Sequence, residues 1–71
     1  MDRAERKCWF RFLDQATDVE LSRAQVSLNY DLDKAAHPDV IWDTRWKLRT
    51  LREELAARAE VARWRRMYCA G

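Results

Sequence analysis

Pro38 is the only proline in this chain, and Gly71 is the only glycine. A chain with so few turn-forming residues lacks the punctuation that β-hairpins and β-sandwiches require. Proline disfavours a helical conformation of the residue before it, and it suits the first turn of a new helix. The tripeptide His37-Pro38-Asp39 therefore predicts the turn of a helical hairpin, in which Pro38 ends one helix and Asp39 caps the next.

Helical periodicity on both sides of this turn predicts an all-α fold. The helical segments cover roughly residues 2–15, 18–36 and 39–68. Thr17 and Glu20 have the spacing of a capping box, which indicates that a helix restarts there. The first two segments could alternatively form one long bent helix. We predict a single helical domain over residues 1–71, an antiparallel helical hairpin preceded by a short N-terminal helix.

Two of the segments carry more apolar surface than one packed face requires. The third segment has a stripe at heptad spacing, interrupted by Arg58, whose members are Ile41, Thr44, Leu48, Leu51, Leu55 and Ala62. The second segment has a leucine stripe and, nearly opposite, Val19, Val26 and Tyr30. A surface helix needs only one apolar face. The additional face must therefore meet the first segment, another subunit or a target.

The small size of the chain points to self-association. A chain of 71 residues buries only about 60% of the surface that its unfolded form exposes, so a lone monomer is marginally stable. One histidine and two cysteines cannot complete a standard zinc site. We therefore expect a homodimeric helical bundle. Its predicted core consists of Leu28, Leu32, Ile41, Leu48, Leu51 and Leu55.

Charge is distributed unevenly along the chain. Residues 14–44 carry seven acidic and two basic side chains, whereas residues 45–71 carry eight basic and three acidic ones. The simplest interpretation is that the acidic and basic segments pack side by side; otherwise each faces a different external partner.

Four tryptophans in 71 residues are an unusual abundance. Trp42, Trp46, Trp64 and Tyr68 project from the third segment roughly opposite its heptad stripe. Tryptophan, tyrosine and arginine are the residues typical of binding hot spots. We predict a partner-binding surface near the hairpin turn, although the same side chains could instead close the dimer. The predicted members are Tyr30, Asp33, Trp42, Trp46 and Arg49.

Catalysis and cofactor binding find little support in the sequence. His37 has no plausible thiol partner, and Asp31 and Asp33 are two residues apart, so on a helix they point in different directions. We predict a non-enzymatic protein without metal or cofactor. Nucleic-acid binding is an alternative that rests on an arginine flank of the third segment, but glutamates interrupt this flank. Its members are Arg45, Arg49, Arg52 and Arg63.

His37-Pro38-Asp39 between two helices resembles the loop that joins helices two and three of J-domain co-chaperones. This resemblance implies stimulation of an Hsp70-type ATPase. J-domains carry a basic helix before this tripeptide, whereas Asp31 and Asp33 precede it here. In J-domains a loop follows the tripeptide, whereas here Val40 and Ile41 begin a helical pattern at once.

In size, hairpin layout and arginine- and tryptophan-rich composition, the whole chain resembles small phage-encoded helical proteins that neutralise host factors. Among these, it is most similar in character to the anti-quorum-sensing anti-activators. The resemblance implies a host transcription regulator as the partner, often bound through the surface that the regulator uses for DNA. An acidic cluster suits such a basic target, and its members are Asp31, Asp33, Asp39 and Asp43.

We expect the protein to reside in the cytoplasm and not to enter a membrane. No apolar run reaches the length of a signal peptide, and the chain carries charge from Asp2 onward. In a cytoplasmic setting Cys8 and Cys69 are expected to remain reduced.

Overall fold

Three helices account for nearly all of residues 2–69, the range that the computed structural model describes, with Cys69 described by its backbone only. They are α1 (Arg3–Gln15), α2 (Asp18–Lys34) and α3 (Pro38–Cys69). No strand occurs within this range. The predicted all-α fold, a hairpin preceded by a short helix, is therefore confirmed. The predicted helix bounds agree with the structure to within two residues.

A capping box separates α1 from α2. The backbone is extended at Ala16 and Thr17, with ψ of 147° and 165°. The Thr17 hydroxyl accepts a hydrogen bond from the Glu20 N–H, and the Glu20 carboxylate accepts one from the Thr17 N–H, both at 3.2 Å. This reciprocal pair satisfies two backbone donors that a helix start otherwise leaves free. The two segments are thus separate helices rather than one bent helix.

His37 caps the start of α3. Its Nδ1 accepts a hydrogen bond from the backbone N–H of Asp39 at 3.2 Å, and its carbonyl accepts one from Ile41 at 3.1 Å. Pro38 then occupies the first helical position, where its missing N–H costs nothing. The expectation that Asp39 is the cap is wrong, because Asp39 already lies within the first turn.

Both shorter helices pack along α3, in opposite directions. Trp9 contacts Thr50, and Leu13 and Ala16 contact Arg58, so α1 runs parallel to α3. Asp18 also contacts Arg58, and α2 then returns towards the turn, antiparallel to α3. The core lies where the three helices meet. Its buried apolar members are Leu13, Ala16, Leu21, Leu48 and Leu51.

Arg58 interrupts the apolar stripe of α3 because it closes the end of α1. Its guanidinium donates hydrogen bonds to the carbonyls of Leu13 and Ala16, both at 2.7 Å. These carbonyls belong to the final turn of α1 and its cap, which have no intrahelical partner. The same guanidinium binds Asp18 at 3.0 Å and Glu54 at 2.9 Å. The hydrogen bonds to Asp18 and Glu54 raise the pKa of Arg58.

A second polar contact fixes the middle of α1. The Trp9 indole N–H donates to the Thr50 hydroxyl at 2.7 Å. That hydroxyl lies 3.0 Å from the Lys47 carbonyl and 3.1 Å from the Trp46 carbonyl, to either of which it can donate. The Lys47 ammonium lies 5.4 Å from the centre of the Trp9 ring. The register of α1 on α3 is therefore set by specific polar contacts as well as by apolar packing.

We predict that Leu51→Ala lowers the free energy of unfolding by about 3 kcal/mol, the typical cost of a cavity left by a buried leucine. Leu51 is fully buried, at 0% exposure. Urea unfolding followed by circular dichroism measures the change. Val26→Ala is the matched control, because Val26 is 70% exposed. Similar losses in the two variants would contradict the proposed core.

Arg58→Lys is expected to loosen α1 selectively. A lysine ammonium cannot reproduce the guanidinium fork that reaches two carbonyls and two carboxylates. Hydrogen exchange of the amides in residues 3–15 should become several-fold faster, while exchange over residues 41–55 changes little. Arg52→Lys is the control, since Arg52 is exposed. Unchanged exchange in α1 would show that Arg58 does not hold it.

Candidate protein-binding surfaces

The predicted partner-binding residues collect at the turn end of the molecule. Tyr30 and Asp33 lie in the last two turns of α2, and Trp42 and Arg49 lie in the first part of α3. Trp42 is 75% exposed and Tyr30 is 63% exposed, and the charged side chains of Asp33 and Arg49 are exposed as well. The Lys34 ammonium lies 5.6 Å from the centre of the Tyr30 ring. Apolar rings and charges are thus both exposed on the two helices that the turn joins.

Trp46 has a different environment from the other predicted members. The Phe10 ring meets it edge-on, with the centroids 5.5 Å apart. The Arg6 guanidinium lies 5.8 Å from its centre. Trp46 is therefore partly buried under α1. Most of its surface holds α1 in place, which leaves less for a partner than at Trp42.

Three arginines border an open groove between α2 and α3. Arg45, Arg49 and Arg52 are exposed and form no ion pair with any residue between 2 and 69. The groove has a volume of about 440 Å³, and its other lining residues are Asn29, Leu32, Leu48 and Glu53. Trp42 lies three residues before Arg45 and seven residues before Arg49, so these three side chains lie on the same side of α3. This combination can hold carboxylates beside an aromatic anchor.

The six residues predicted for a dimer core, five leucines and Ile41, line the inside of the hairpin. Leu48 and Leu51 are buried within one chain, which leaves no surface for a second copy. The other four are partly buried, and Leu28 and Leu55 pack against the core of their own chain. These side chains first stabilise the monomer. The dimer core that these six residues would form stays a prediction.

A further exposed surface lies at the opposite end of α3. Every residue from 59 to 68 is exposed. The Trp64 and Tyr68 rings stack with centroids 4.5 Å apart and are 58% and 66% exposed. The sequence shows that both rings lie opposite the heptad stripe. It does not show that α1 covers this side only upstream and leaves these two rings exposed.

One ion pair joins the acidic and basic segments that were predicted to pack side by side. Asp18 of the acidic segment pairs with Arg58 of the basic segment. Asp31 and Asp33 are exposed and form no ion pair with residues in the described range. Most of the charge on both segments thus faces outward, where it is available to external partners.

Within residues 2–69, no group of three or more histidine, cysteine, aspartate or glutamate side chains could hold a metal ion. No helix of that part of the chain is long and apolar enough to cross a bilayer. Cys8 is an exposed free thiol on α1, and the Cys69 side chain lies outside the described atoms. No family model, curated protein or solved structure matches this chain.

The exposure of Cys8 predicts that iodoacetamide alkylates it in the folded protein without prior reduction. Peptide mass mapping should find the label on Cys8 at close to the rate seen in urea, because no packing shields the thiol. Reaction that requires a reducing agent would show that Cys8 is oxidised.

Proposed function

We propose that this protein is a small, non-enzymatic binding module of the cytoplasm that docks onto another protein through its turn end and inhibits or modulates it. The proposed surface consists of Tyr30, Asp33, Trp42 and Arg49, with Trp46 at its edge beneath α1. The exposure of Trp42 carries the proposal. An indole that is 75% exposed on a rigid helix, beside arginines that form no ion pair within residues 2–69, is the anchor-and-rim arrangement of a binding hot spot.

Mixed charge favours a protein partner over a nucleic acid. Glu53 lines the same groove as Arg45, Arg49 and Arg52. Exposed Asp31 and Asp33 lie on the neighbouring helix. A continuous phosphate backbone would meet these carboxylates as well as the arginines, whereas a protein surface can present acids and bases at separate points.

A transcription regulator is the partner class that the resemblance to phage anti-activators implies. Asp31, Asp33 and Asp39 are exposed around the turn. Such an acidic edge would complement the basic surface with which a regulator binds DNA. Occupation of that surface would exclude the DNA, and this supports inhibition as the consequence of binding.

Capture from a host lysate, followed by titration calorimetry with the captured protein, tests the proposal. Trp42→Ala should weaken binding by about 2 kcal/mol or more, as truncation of a hot-spot residue does. Val19→Ala is the control, because Val19 is also exposed and apolar but lies at the other end of α2. Equal binding by both variants would exclude the turn surface.

Two further measurements separate the alternatives. Binding of duplex DNA that weakens steeply with salt would favour a nucleic-acid binder. Stimulation of an Hsp70-type ATPase that is lost in His37→Gln would favour a co-chaperone. Either result, in the absence of a captured protein partner, would overturn the proposal.

A further inference from the structure

The last third of α3 projects beyond the rest of the molecule. We call residues 57–68 the arm. Arg58, near its start, contacts the end of α1 and the start of α2, and residues 59–68 are all exposed. The arm is about 18 Å long at 1.5 Å per residue. An isolated helix of this length is marginal in water, so the arm gains stability from any surface that packs against it.

The apolar side of the arm continues the surface on which α1 rests. Thr50, Ala57 and Trp64 follow one another at intervals of seven residues, so they lie on one side of α3. Trp9 of α1 covers this side at Thr50. Beyond Arg58 the side is open, and its members border a groove of about 410 Å³. The lining residues are Ala57, Glu60, Val61, Trp64, Arg65 and Tyr68.

Charge changes sign along the arm. Glu60 lies near its base, where Asp18 and Glu54 also border a groove that extends along Val61. The carboxylates of Asp18 and Glu54 each bind Arg58 through one oxygen, which is Oδ1 in Asp18 and Oε1 in Glu54. At the tip, Arg63, Arg65 and Arg66 are exposed and form no ion pair within the described range. The base is therefore acidic at its rim and the tip is basic.

We propose that the arm pairs antiparallel with the arm of a second copy of this chain. Antiparallel pairing places the basic tip of each arm against the acidic base of the other, whereas parallel pairing would bring six tip arginines together. The contact is the same on both copies, so it closes as a two-fold dimer. In each copy, the side of α3 that carries Thr50, Ala57 and Trp64 is then covered by that copy's own α1 before Arg58 and by the partner's arm after it.

The available area predicts a weak dimer. Full burial of two tryptophans and two tyrosines contributes at most about 600–1,000 Å². Specific stable interfaces bury about 1,200–2,000 Å² in total. The dimer should therefore dissociate on dilution. It uses the end of α3 away from Trp42, so its test is independent of the turn surface.

Sedimentation equilibrium of the full chain over a range of concentrations tests the pairing. Wild type should show a monomer–dimer equilibrium, and Trp64→Ala should raise the dissociation constant by about 30-fold or more, as for a hot-spot residue. Trp42→Ala is the matched control, because it removes another exposed indole, at the other end of α3, and it should leave the equilibrium unchanged. Alanine favours helix, so the arm is not broken by the substitution. Equal effects of the two variants would overturn the proposal.

Charge-reversal variants test whether a loss of dimerisation arises from a lost contact between the arms or from unfolding of the arm itself. Arg63→Glu with Arg65→Glu makes the tip acidic, and Glu60→Lys makes the base more basic. Each variant should dimerise less well alone than wild type. Mixed together, they should form a heterodimer in native mass spectrometry, because the acidic tip then meets a base that has lost its net negative charge, and the basic tip meets an unaltered acidic base. Failure of mixing to restore dimers would contradict the proposed contact.

Binding of the arm to a membrane surface is the outcome that competes most directly with self-pairing. A basic helix with tryptophan and tyrosine on one side can also lie on anionic lipid. Wild type that remains monomeric at high micromolar concentration, yet binds vesicles containing phosphatidylserine and loses this binding in Trp64→Ala, would replace self-pairing with lipid binding.

Discussion

Arg58 is the side chain on which the arrangement of the three helices depends. Its guanidinium reaches the end of α1, the start of α2 and a glutamate one turn back on α3. A charge within an apolar stripe is costly unless its donors are satisfied. Here carbonyls of α1 and carboxylates of α2 and α3 satisfy its donors, so contacts to all three helices converge on Arg58. The same residue marks the boundary between the packed part of α3 and the exposed arm.

Local rules predicted most of the fold. The break at Pro38 and the capping box at Thr17 depend on neighbouring residues, and both appear as expected. The role of Arg58 could not be predicted, because its carbonyl partners on α1 lie 42 and 45 residues away. The His37 cap was missed because aspartate is the commoner capping residue. Sequence spacing alone did not show that Asp39 falls inside the first turn.

The candidate surfaces also combine features that neighbouring residues determine with features that distant contacts determine. Periodicity shows that a helix face is apolar, but it does not show which element covers it. Leu48 and Leu51 are covered by their own chain, and Trp46 is partly covered by α1. Trp42 and Trp64 lie on either side of the stretch that α1 protects, and both remain exposed. Their difference from Trp46 arises from the length of α1, thirteen residues, and from its parallel register on α3.

The parallel register of α1 has a consequence for synthesis on the ribosome. Its anchoring partners, Thr50 and Arg58, are translated 41 or more residues after the groups that they bind, the Trp9 indole and the carbonyls of Leu13 and Ala16. During this interval Trp9, Phe10 and Phe12 have no α3 on which to pack. Because polypeptides emerge at about 5–20 residues per second, the nascent helix presents these aromatic rings for several seconds. Four basic residues among them, Arg3, Arg6, Lys7 and Arg11, keep this unpaired segment charged and so oppose its aggregation.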